Sequence, residues 1–223
     1  MSDRRLLLVR HGVTDWNREG RFQGHLDPPL ADDGHSEAEL LAARMAADPL
    51  LRAGRIVSST LRRSMATAEV LATRLGVTFE GDARLIEIGQ GEWEGRTHAE
   101  LEATDADRYA AWRAAASIRQ PPGGESIEAA TRRVTELFDD LKASDGPWPI
   151  CLVSHGGTIR ILARLLLQPP PTAAWALDVD NASLSVCSAV KGRWRLERWN
   201  DTVHLLGRTA THVDESEGRP LSL

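Results

Sequence analysis

Two short runs of apolar residues stand out along the chain, at residues 6–9 and 150–153. Each run is continuous rather than alternating, which is typical of a strand covered on both faces of a sheet. Each ends in a polar cluster, Arg10-His11-Gly12 after the first and Ser154-His155-Gly156-Gly157 after the second. Ligands of open α/β sheets bind at the carboxyl ends of strands, so both clusters lie where a functional site is expected.

The segments around these strands predict helices with one apolar face. Apolar positions spaced at i, i+3, i+4 and i+7 predict helices over residues 36–47, 61–75, 127–141 and 157–167. Residues 55–58 predict a further strand, and alternation on either side of Lys191-Gly192 predicts a hairpin over 182–199. Strands that alternate with helices predict a three-layer α/β/α fold, with a mainly parallel central sheet and helices on both faces.

Residues 1–207 show neither an internal repeat nor a linker, so we expect them to form a single domain. Residues 96–124 have a helical pattern rich in alanine and charge, which breaks at Pro121-Pro122-Gly123-Gly124. The polar tail, residues 208–223, is expected to be loosely ordered.

Composition narrows the classes of function. Lys and Arg number 27 against 32 Asp and Glu, a net charge of −5, so no global field attracts nucleic acid or an acidic membrane. An apolar run of the roughly 20 residues that span a bilayer is missing, and residues 6–9 are too short for a signal peptide. We therefore expect a cytoplasmic protein, in which Cys151 and Cys187 are buried free thiols.

Two arginines and two histidines occupy matching positions at element ends. Arg10 and His11 end one strand, His155 ends another, and Arg62 opens a helix. Each one alone is typical of an unrelated surface residue, but the matched placement of all four favours a shared site for a dianion such as phosphate. Arginine offers forked donors to phosphate oxygens, and helix starts near Arg62 and Gly156 add backbone donors.

These residue types also indicate a reaction. An imidazole held between cations stays neutral, and its free nitrogen can attack phosphorus. The leaving alkoxide then needs a proton from a nearby carboxylic acid. Glu87, Glu92 and Glu94 are equal candidates for this acid on chemistry alone.

The sequence resembles the histidine phosphatase superfamily, which includes the cofactor-dependent phosphoglycerate mutases. The resemblance covers about residues 5–200 and rests on blocks in the family's order. These blocks are Arg10-His11-Gly12-x-Thr14-x-Trp16-Asn17, Gly20-Arg21-Phe22-Gln23-Gly24, Pro29-Leu30, Gly34, Ser58-Ser59-x-Leu61-Arg62-Arg63-x-x-x-Thr67-Ala68, Glu87, Gly91-x-Trp93-Glu94-Gly95, Gly124-Glu125-Ser126 and Val153-Ser154-His155-Gly156-Gly157.

The resemblance implies a phosphoglycerate mutase-like fold and a role for each matched residue. His11 would be the nucleophile that becomes phosphohistidine, and Glu87, rather than its two rivals, would donate the proton and later activate water. The groups that bind the phosphoryl oxygens would be Arg10, Arg62 and His155. The substrate side would be lined by Thr14, Asn17, Gln23, Gly24 and Gly156, with Asn17 as a further phosphate ligand. This chemistry requires neither a metal nor a cofactor. The chain departs from the pattern at Val13, where relatives often have Glu or Gln.

Other phosphatase signatures are weaker. Cys187 and Arg193 have the Cys-x5-Arg spacing of cysteine-dependent phosphatases, but the residues between them pass from one alternating strand into the next. Asp178-Val179-Asp180 faintly resembles the motif of aspartyl-nucleophile phosphatases, yet Ala182 stands where Thr or Val is usual, and loop capping is favoured.

The resemblance also favours a hydrolase of small phosphomonoesters over a mutase. The segment 96–124 would form the insert over the site, and it is short and acidic, with only Arg108, Arg113 and Arg119 basic after Arg96. By the same resemblance, the corresponding insert of the mutases is longer and carries a basic cluster. A phosphate-binding scaffold without activity is disfavoured, because the reactive residues are present. We expect the partner to be a small-molecule phosphomonoester, and an exposed strand in the 182–199 hairpin is compatible with a homodimer.

Overall fold

A mixed sheet of six strands organises the residues that the computed structural model describes, which are 4–114, 120–170 and 173–206. The strands are β1 (Arg5–Arg10), β2 (Arg55–Ser58), β3 (Phe79–Gly81), β4 (Ile150–Ser154), β5 (Leu184–Val190) and β6 (Arg193–Asp201). The helices are α1 (Asp15–Arg18), α2 (Asp32–Ala47), α3 (Arg62–Leu75), α4 (His98–Thr104), α5 (Ala106–Ala114), α6 (Ile127–Ala143) and α7 (Gly156–Leu167).

The strand order is β3-β2-β4-β1-β5-β6. The first four strands are parallel, whereas β5 runs antiparallel to β1 and β6 antiparallel to β5. The predicted, mainly parallel sheet is therefore confirmed. The predicted hairpin joins β5 to β6 through Lys191 and Gly192, whose φ angles of 51° and 77° suit the primed turns that match strand twist.

Each face of the sheet carries its own core, which makes the three layers. Leu6 and Leu8 of β1 face a cluster built with α6 and α7, whereas Leu7 and Val9 face a cluster built with α2 and α3. Successive side chains of a strand point to opposite faces, so a strand covered on both sides is apolar throughout. This is why β1 and β4 read as continuous apolar runs.

Helix ends follow the local sequence in part. Gly76 ends α3 at φ 67°, and the Ser126 side chain caps α6 by accepting a hydrogen bond from the Ala129 N–H. Helix α2 starts at Asp32, four residues before the predicted start. The sequence does not mark this start, because Ala31 at the N-cap has no side chain that accepts a hydrogen bond.

The register of β1 against β4 brings the two polar clusters together. Arg10 pairs with Ser154, and the His11 N–H donates to the Ser154 carbonyl at 3.0 Å. Because the strands are parallel neighbours, His11 and His155 leave the same edge of the sheet side by side. Helix α7 begins directly after His155 and points its N-terminus at this edge.

In the predicted insert, α4 and α5 lie against Trp93, with Leu101 and Tyr109 in a small separate core. Residues 115–119 of the insert and the predicted tail, 208–223, lie outside the described residues. Among the described helices, none combines the length and the apolar character needed to cross a membrane.

Candidate active site

His11 is held rigidly at the end of β1. Its ring is 3% exposed, and its carbonyl accepts hydrogen bonds from the Ala182 N–H at 3.1 Å and the Asn181 side chain at 3.1 Å. The ring Nδ1 lies 2.7 Å from the Gly12 carbonyl, which can only accept. Nδ1 therefore carries the proton, and the lone pair is on Nε2.

The surroundings of His11 keep it neutral. Burial lowers the pKa of its imidazole well below the ordinary 6.5, and the positive charges of Arg63 and Arg10 lower it further. The bond to Gly12 opposes this effect without reversing it. A buried, neutral imidazole with a free Nε2 has the properties of a nucleophile.

His155 lies beside His11 with the opposite proton arrangement. The two ring centroids are 5.0 Å apart. Its Nδ1 accepts a hydrogen bond from Arg63 Nε at 3.3 Å, so the ring proton is on Nε2, which faces Ser59 Oγ at 2.8 Å. Burial, followed by the charge of Arg63, lowers the pKa of His155 well below 6.5.

The second arginine of the cluster is Arg63, and the expected placement of Arg62 there is wrong. Arg63 is 1% exposed, and besides His155 it donates to the carbonyls of Leu26 at 2.9 Å and Gly24 at 3.0 Å. Arg62 has an exposed side chain, and its backbone N–H donates to Asp27. Successive helical residues are about 100° apart, so one position separates the buried face from solvent.

Helical spacing carried a signal that identifies Arg63. It lies four residues before Thr67 and eight before Leu71, both of which are buried. Arg62 has no such companions, since Glu69 is exposed at i+7. Burial lowers the pKa of the Arg63 guanidinium to about 10, a value at which it keeps its positive charge near neutral pH.

Arg10 is the other arginine whose positive charge acts on His11. Its Nη1 donates to the Val179 carbonyl at 2.6 Å, which fixes the guanidinium. Its Nε is buried and has no hydrogen-bond partner within the described part of the chain. A buried donor without a partner costs free energy, and a bound anion would satisfy it.

Of the three candidate carboxylates, Glu87 lies at the start of α7. Its oxygens accept hydrogen bonds from the N–H groups of Ile88 at 2.8 Å, Gly157 at 3.1 Å and Thr158 at 3.2 Å. Glu92 is exposed and paired with Arg108. Glu94 accepts bonds from the N–H groups of Gln90 and His25 and holds two loops together.

Thr14 and Asn17 form a capping box at the start of α1. Asn17 Oδ1 accepts from the Thr14 N–H at 3.1 Å, the Thr14 hydroxyl at 2.9 Å and Asn181 Nδ2 at 3.3 Å. All three groups donate to the side-chain oxygen of Asn17. The amide nitrogen of Asn17 can therefore donate to another acceptor.

The remaining predicted substrate residues lie around the same edge. Gln23 is 9% exposed, and its Oε1 is buried without a hydrogen-bond partner in the described ranges. Gly24 has φ 50°, and a Cβ there would collide with Glu94, so this turn requires glycine. Gly156 is the first residue of α7, and a Cβ placed on it would lie 3.9 Å from the Arg10 guanidinium carbon.

Sequence reasoning missed Asn181, which binds both His11 and Asn17. The interpretation of residues 178–180 as a capping loop agrees with the structure. Val179 holds Arg10, and Asp180 exchanges two hydrogen bonds with Asn200. Val179 and Asn181 of this loop thus hold Arg10, His11 and Asn17 through hydrogen bonds.

Cys187 lacks the environment of a nucleophile. It is buried in β5, and burial raises the pKa of its thiol to about 12. The cysteine-dependent alternative is therefore unsupported. Over the described ranges, no three His, Cys, Asp or Glu side chains are grouped so as to hold a metal ion.

Comparisons with known proteins agree with this geometry. The model of the histidine phosphatase superfamily (branch 1) matches residues 6–202. The chain belongs to this superfamily. It is 39% identical to glucosyl-3-phosphoglycerate phosphatase of Mycobacterium tuberculosis, over 90% of this chain and 96% of that protein. It is 32% identical to adenosylcobalamin/alpha-ribazole phosphatase of Salmonella typhimurium, over 84% of this chain and 92% of that protein.

A solved structure is similar to this chain in fold as well as in sequence. Mycobacterial glucosyl-3-phosphoglycerate phosphatase in complex with VO3 matches with a TM-score of 0.78 and 38% identity, covering 88% of this chain and 99% of that one. The family and fold that the sequence resembles are confirmed, and this histidine phosphatase is an enzyme that hydrolyses phosphoric monoesters.

Proposed function

We propose that the protein hydrolyses phosphomonoesters of small metabolites, without a metal, through a phosphohistidine on His11 and with Glu87 as proton donor. The observation that carries this proposal is the state of His11. Its Nδ1 is bound to the Gly12 carbonyl, its Nε2 lone pair is free, and burial, followed by the charges of Arg63 and Arg10, holds it neutral by lowering its pKa.

In the first step, His11 Nε2 attacks phosphorus and the ester P–O bond breaks. The leaving alkoxide takes the proton of Glu87, and the phosphoryl group remains on His11. Arg10 and Arg63 meet the charge on the phosphoryl oxygens with fixed donors, which is the main source of rate in phosphoryl transfer, and His155 orients Arg63 by accepting a hydrogen bond from its Nε. The carboxylate left on Glu87 is stabilised by its three backbone N–H donors at the start of α7.

In the second step, the Glu87 carboxylate takes a proton from water as the water oxygen attacks phosphorus. The P–N bond to His11 breaks, inorganic phosphate leaves, and Glu87 is again protonated. The sum of the two steps is ester plus water giving alcohol plus phosphate. Neither step needs a redox partner or a second substrate.

The insert supports hydrolysis over mutase activity. Its described arginines already have partners: Arg108 pairs with Glu92 and Asp105, Arg113 pairs with Glu102, and Arg96 donates to the Glu100 carbonyl and the Thr104 hydroxyl. They are poorly placed to grip a second phosphate or a carboxylate, which a phosphoglycerate mutase requires. Phosphoglycerate mutase activity remains the alternative, and glucosyl-3-phosphoglycerate is the first substrate candidate, because that relative has 39% identity.

The test is phosphate release from a panel of phosphomonoesters in excess chelator. The panel includes glucosyl-3-phosphoglycerate, phosphoserine, sugar phosphates and 3-phosphoglycerate, with 2-phosphoglycerate followed in parallel. We expect phosphate release that the chelator does not reduce. Interconversion of phosphoglycerates without net phosphate would instead establish a mutase.

His11→Ala tests the nucleophile directly. We expect this variant to lose both turnover and covalent labelling from a 32P-labelled ester, whereas His35→Ala, at an exposed position of α2, keeps both. Turnover retained in His11→Ala would remove His11 from this role. Absence of both activities in the unmodified enzyme would favour the non-catalytic scaffold.

A further inference from the structure

A half-buried ion pair lies behind Glu87. Arg133 on α6 binds Glu125 in a forked arrangement, Nε to Oε1 at 2.8 Å and Nη2 to Oε2 at 2.8 Å. The two side chains are 15% and 16% exposed. Burial acts to raise the pKa of the Glu125 carboxyl, but the hydrogen bonds and charge of Arg133 outweigh it and lower that pKa.

The same guanidinium reaches the segment that carries Glu87. Arg133 Nη2 donates to the Glu87 carbonyl at 3.2 Å, and Nη1 donates to the Arg84 carbonyl at 2.7 Å. Glu125 is tied to this segment as well, since its backbone N–H donates to the Gly89 carbonyl at 2.9 Å. Residues 84–89 are thus fastened to the start of α6.

Glu87 is consequently held at both of its ends. Its carboxylate is fixed by the start of α7, whereas its carbonyl is fixed by Arg133, with His25 Nε2 3.0 Å away on the same oxygen. Sequence distance hides this link, because Arg133 is 46 residues from Glu87. A lysine could not replace it, since a single ammonium cannot hold a forked carboxylate and two carbonyls in one plane.

We propose that Arg133, oriented by Glu125, is a positioning residue for proton transfer by Glu87. The inference rests on the proposed role of Glu87. Proton transfer requires hydrogen-bond distance to the leaving oxygen, and a shift of about 1 Å can cost about 100-fold in rate. Loosening the Glu87 carbonyl moves the acid but leaves the nucleophile and the phosphate-binding groups in place.

The leaving group separates this role from a general structural one. An alkyl phosphate needs a protonated leaving oxygen, whereas an activated aryl phosphate such as p-nitrophenyl phosphate does not. We expect Arg133→Met to reduce kcat/KM, which reports the phosphorylation of His11 and not the later attack by water, about 10- to 100-fold on the alkyl ester and only a few-fold on the aryl ester. Arg132→Met is the matched control, because Arg132 is the exposed neighbour on the same helix, and it should reduce neither.

Three further variants complete the experiment. Arg133→Lys and Glu125→Gln should show the same preference for the aryl ester, and they serve if Arg133→Met fails to fold. Adding Arg133→Met to Glu87→Gln should cause little further loss, since both act on one proton. Equal losses of kcat/KM on the two esters, or full additivity of these losses in the double variant, would overturn the positioning role.

Glu87→Gln alone separates failure of this inference from failure of the proposed function. If Glu87→Gln shows the leaving-group dependence and the Arg133 and Glu125 variants do not, only the positioning role is wrong. If Glu87→Gln reduces kcat/KM equally for both esters, Glu87 is not the acid in the first step, and the two proposals fall together.

Discussion

At the scale of single residues, the two active-site histidines differ in where they keep their proton. His11 donates from Nδ1 to the Gly12 carbonyl, and His155 accepts at Nδ1 from Arg63. His11 therefore has a lone pair at Nε2, whereas His155 has its proton there, on the side of Ser59 Oγ at 2.8 Å. The backbone carbonyl and the guanidinium impose this difference on two chemically identical side chains.

The neighbouring arginines of α3 give a sharp comparison. Arg63→Met should weaken vanadate and phosphate inhibition and reduce kcat/KM about 100-fold, as expected when a donor to transition-state charge is removed. Arg62→Met should change kcat/KM by less than about threefold, because its side chain is exposed. Steady-state kinetics with a single ester, together with vanadate titration, measures both.

The reverse ranking of these two variants would restore Arg62 to the site and contradict the placement found here. Thermal unfolding of both variants is the control for folding. Arg63 also supports the carbonyls of Gly24 and Leu26, so some loss of stability is expected in Arg63→Met. A change in kcat/KM without a change in Tm would be the cleanest evidence for a direct role.

At the scale of elements, α2 packs closely against the turn that follows His11, and the contact is between Gly34 of the helix and Gly12 and Val13 of the turn. A Cβ on Gly34 would collide with the Val13 carbonyl, and one on Gly12 with the Gly34 carbonyl. Glu37 strengthens the contact by accepting a hydrogen bond from the Val13 N–H at 2.8 Å. The start of α2 thereby sets the position of the backbone that follows His11.

This contact reverses the usual effect of replacing glycine in a helix. Alanine normally stabilises a helix interior by about 1 kcal/mol relative to glycine. We expect Gly34→Ala to lower the free energy of unfolding by about 1–3 kcal/mol, because the added methyl overpacks the contact, and to reduce kcat. Denaturant unfolding measures it, with His35→Ala on the exposed side of α2 as a control that should not destabilise. A stabilised Gly34→Ala would refute the tight contact.

The elements best predicted from the sequence are those whose pattern reflects burial. Strands β1 and β4 and the long helix α6 were found, since their side chains meet a core on known faces. Strand β3 was missed because it has three residues, of which only Phe79 is partly buried. The insert pattern gave helices, but α5 ends at Ala114 among the described residues.

The site divides in the same way. Strand-end position and family motif predict His11, Glu87, Arg10 and His155, and the structure gathers His11, Arg10 and His155 at one edge. Arg62 was predicted in place of Arg63, because a position at the start of a helix does not tell which of two neighbouring residues faces the core. Asn181 and Arg133 contact these segments through hydrogen bonds to backbone carbonyls, Asn181 to that of His11 and Arg133 to those of Arg84 and Glu87. Such contacts depend on the fold and leave no local pattern.

At the scale of the whole molecule, burial lowers the pKa of three histidines, two in the candidate site and one outside it. Burial lowers the pKa of His11 and His155 well below 6.5, and it lowers that of His204 to about 4. His204 lies near the chain's other end, beside Arg44 and Asp201, so the effect is spread over the fold. Unfolding releases all three to their ordinary pKa of about 6.5.

The pH dependence of stability follows from this difference. Between the lowered values and 6.5, the unfolded chain binds protons that the folded chain does not, so stability rises with pH and falls as the solution is acidified below about 6.5. Each histidine that contributes fully changes the free energy of unfolding by about 1.4 kcal/mol per pH unit.

Denaturant unfolding at pH 7.5, 6.5, 5.5 and 5.0 should show this loss before carboxylates titrate. His204→Gln should flatten the slope, whereas the exposed-site variant His35→Gln should not. A constant free energy of unfolding from pH 7.5 to 5.0 would mean that these histidines bind protons equally in the folded and unfolded chain, which would contradict a neutral His11 at acidic pH.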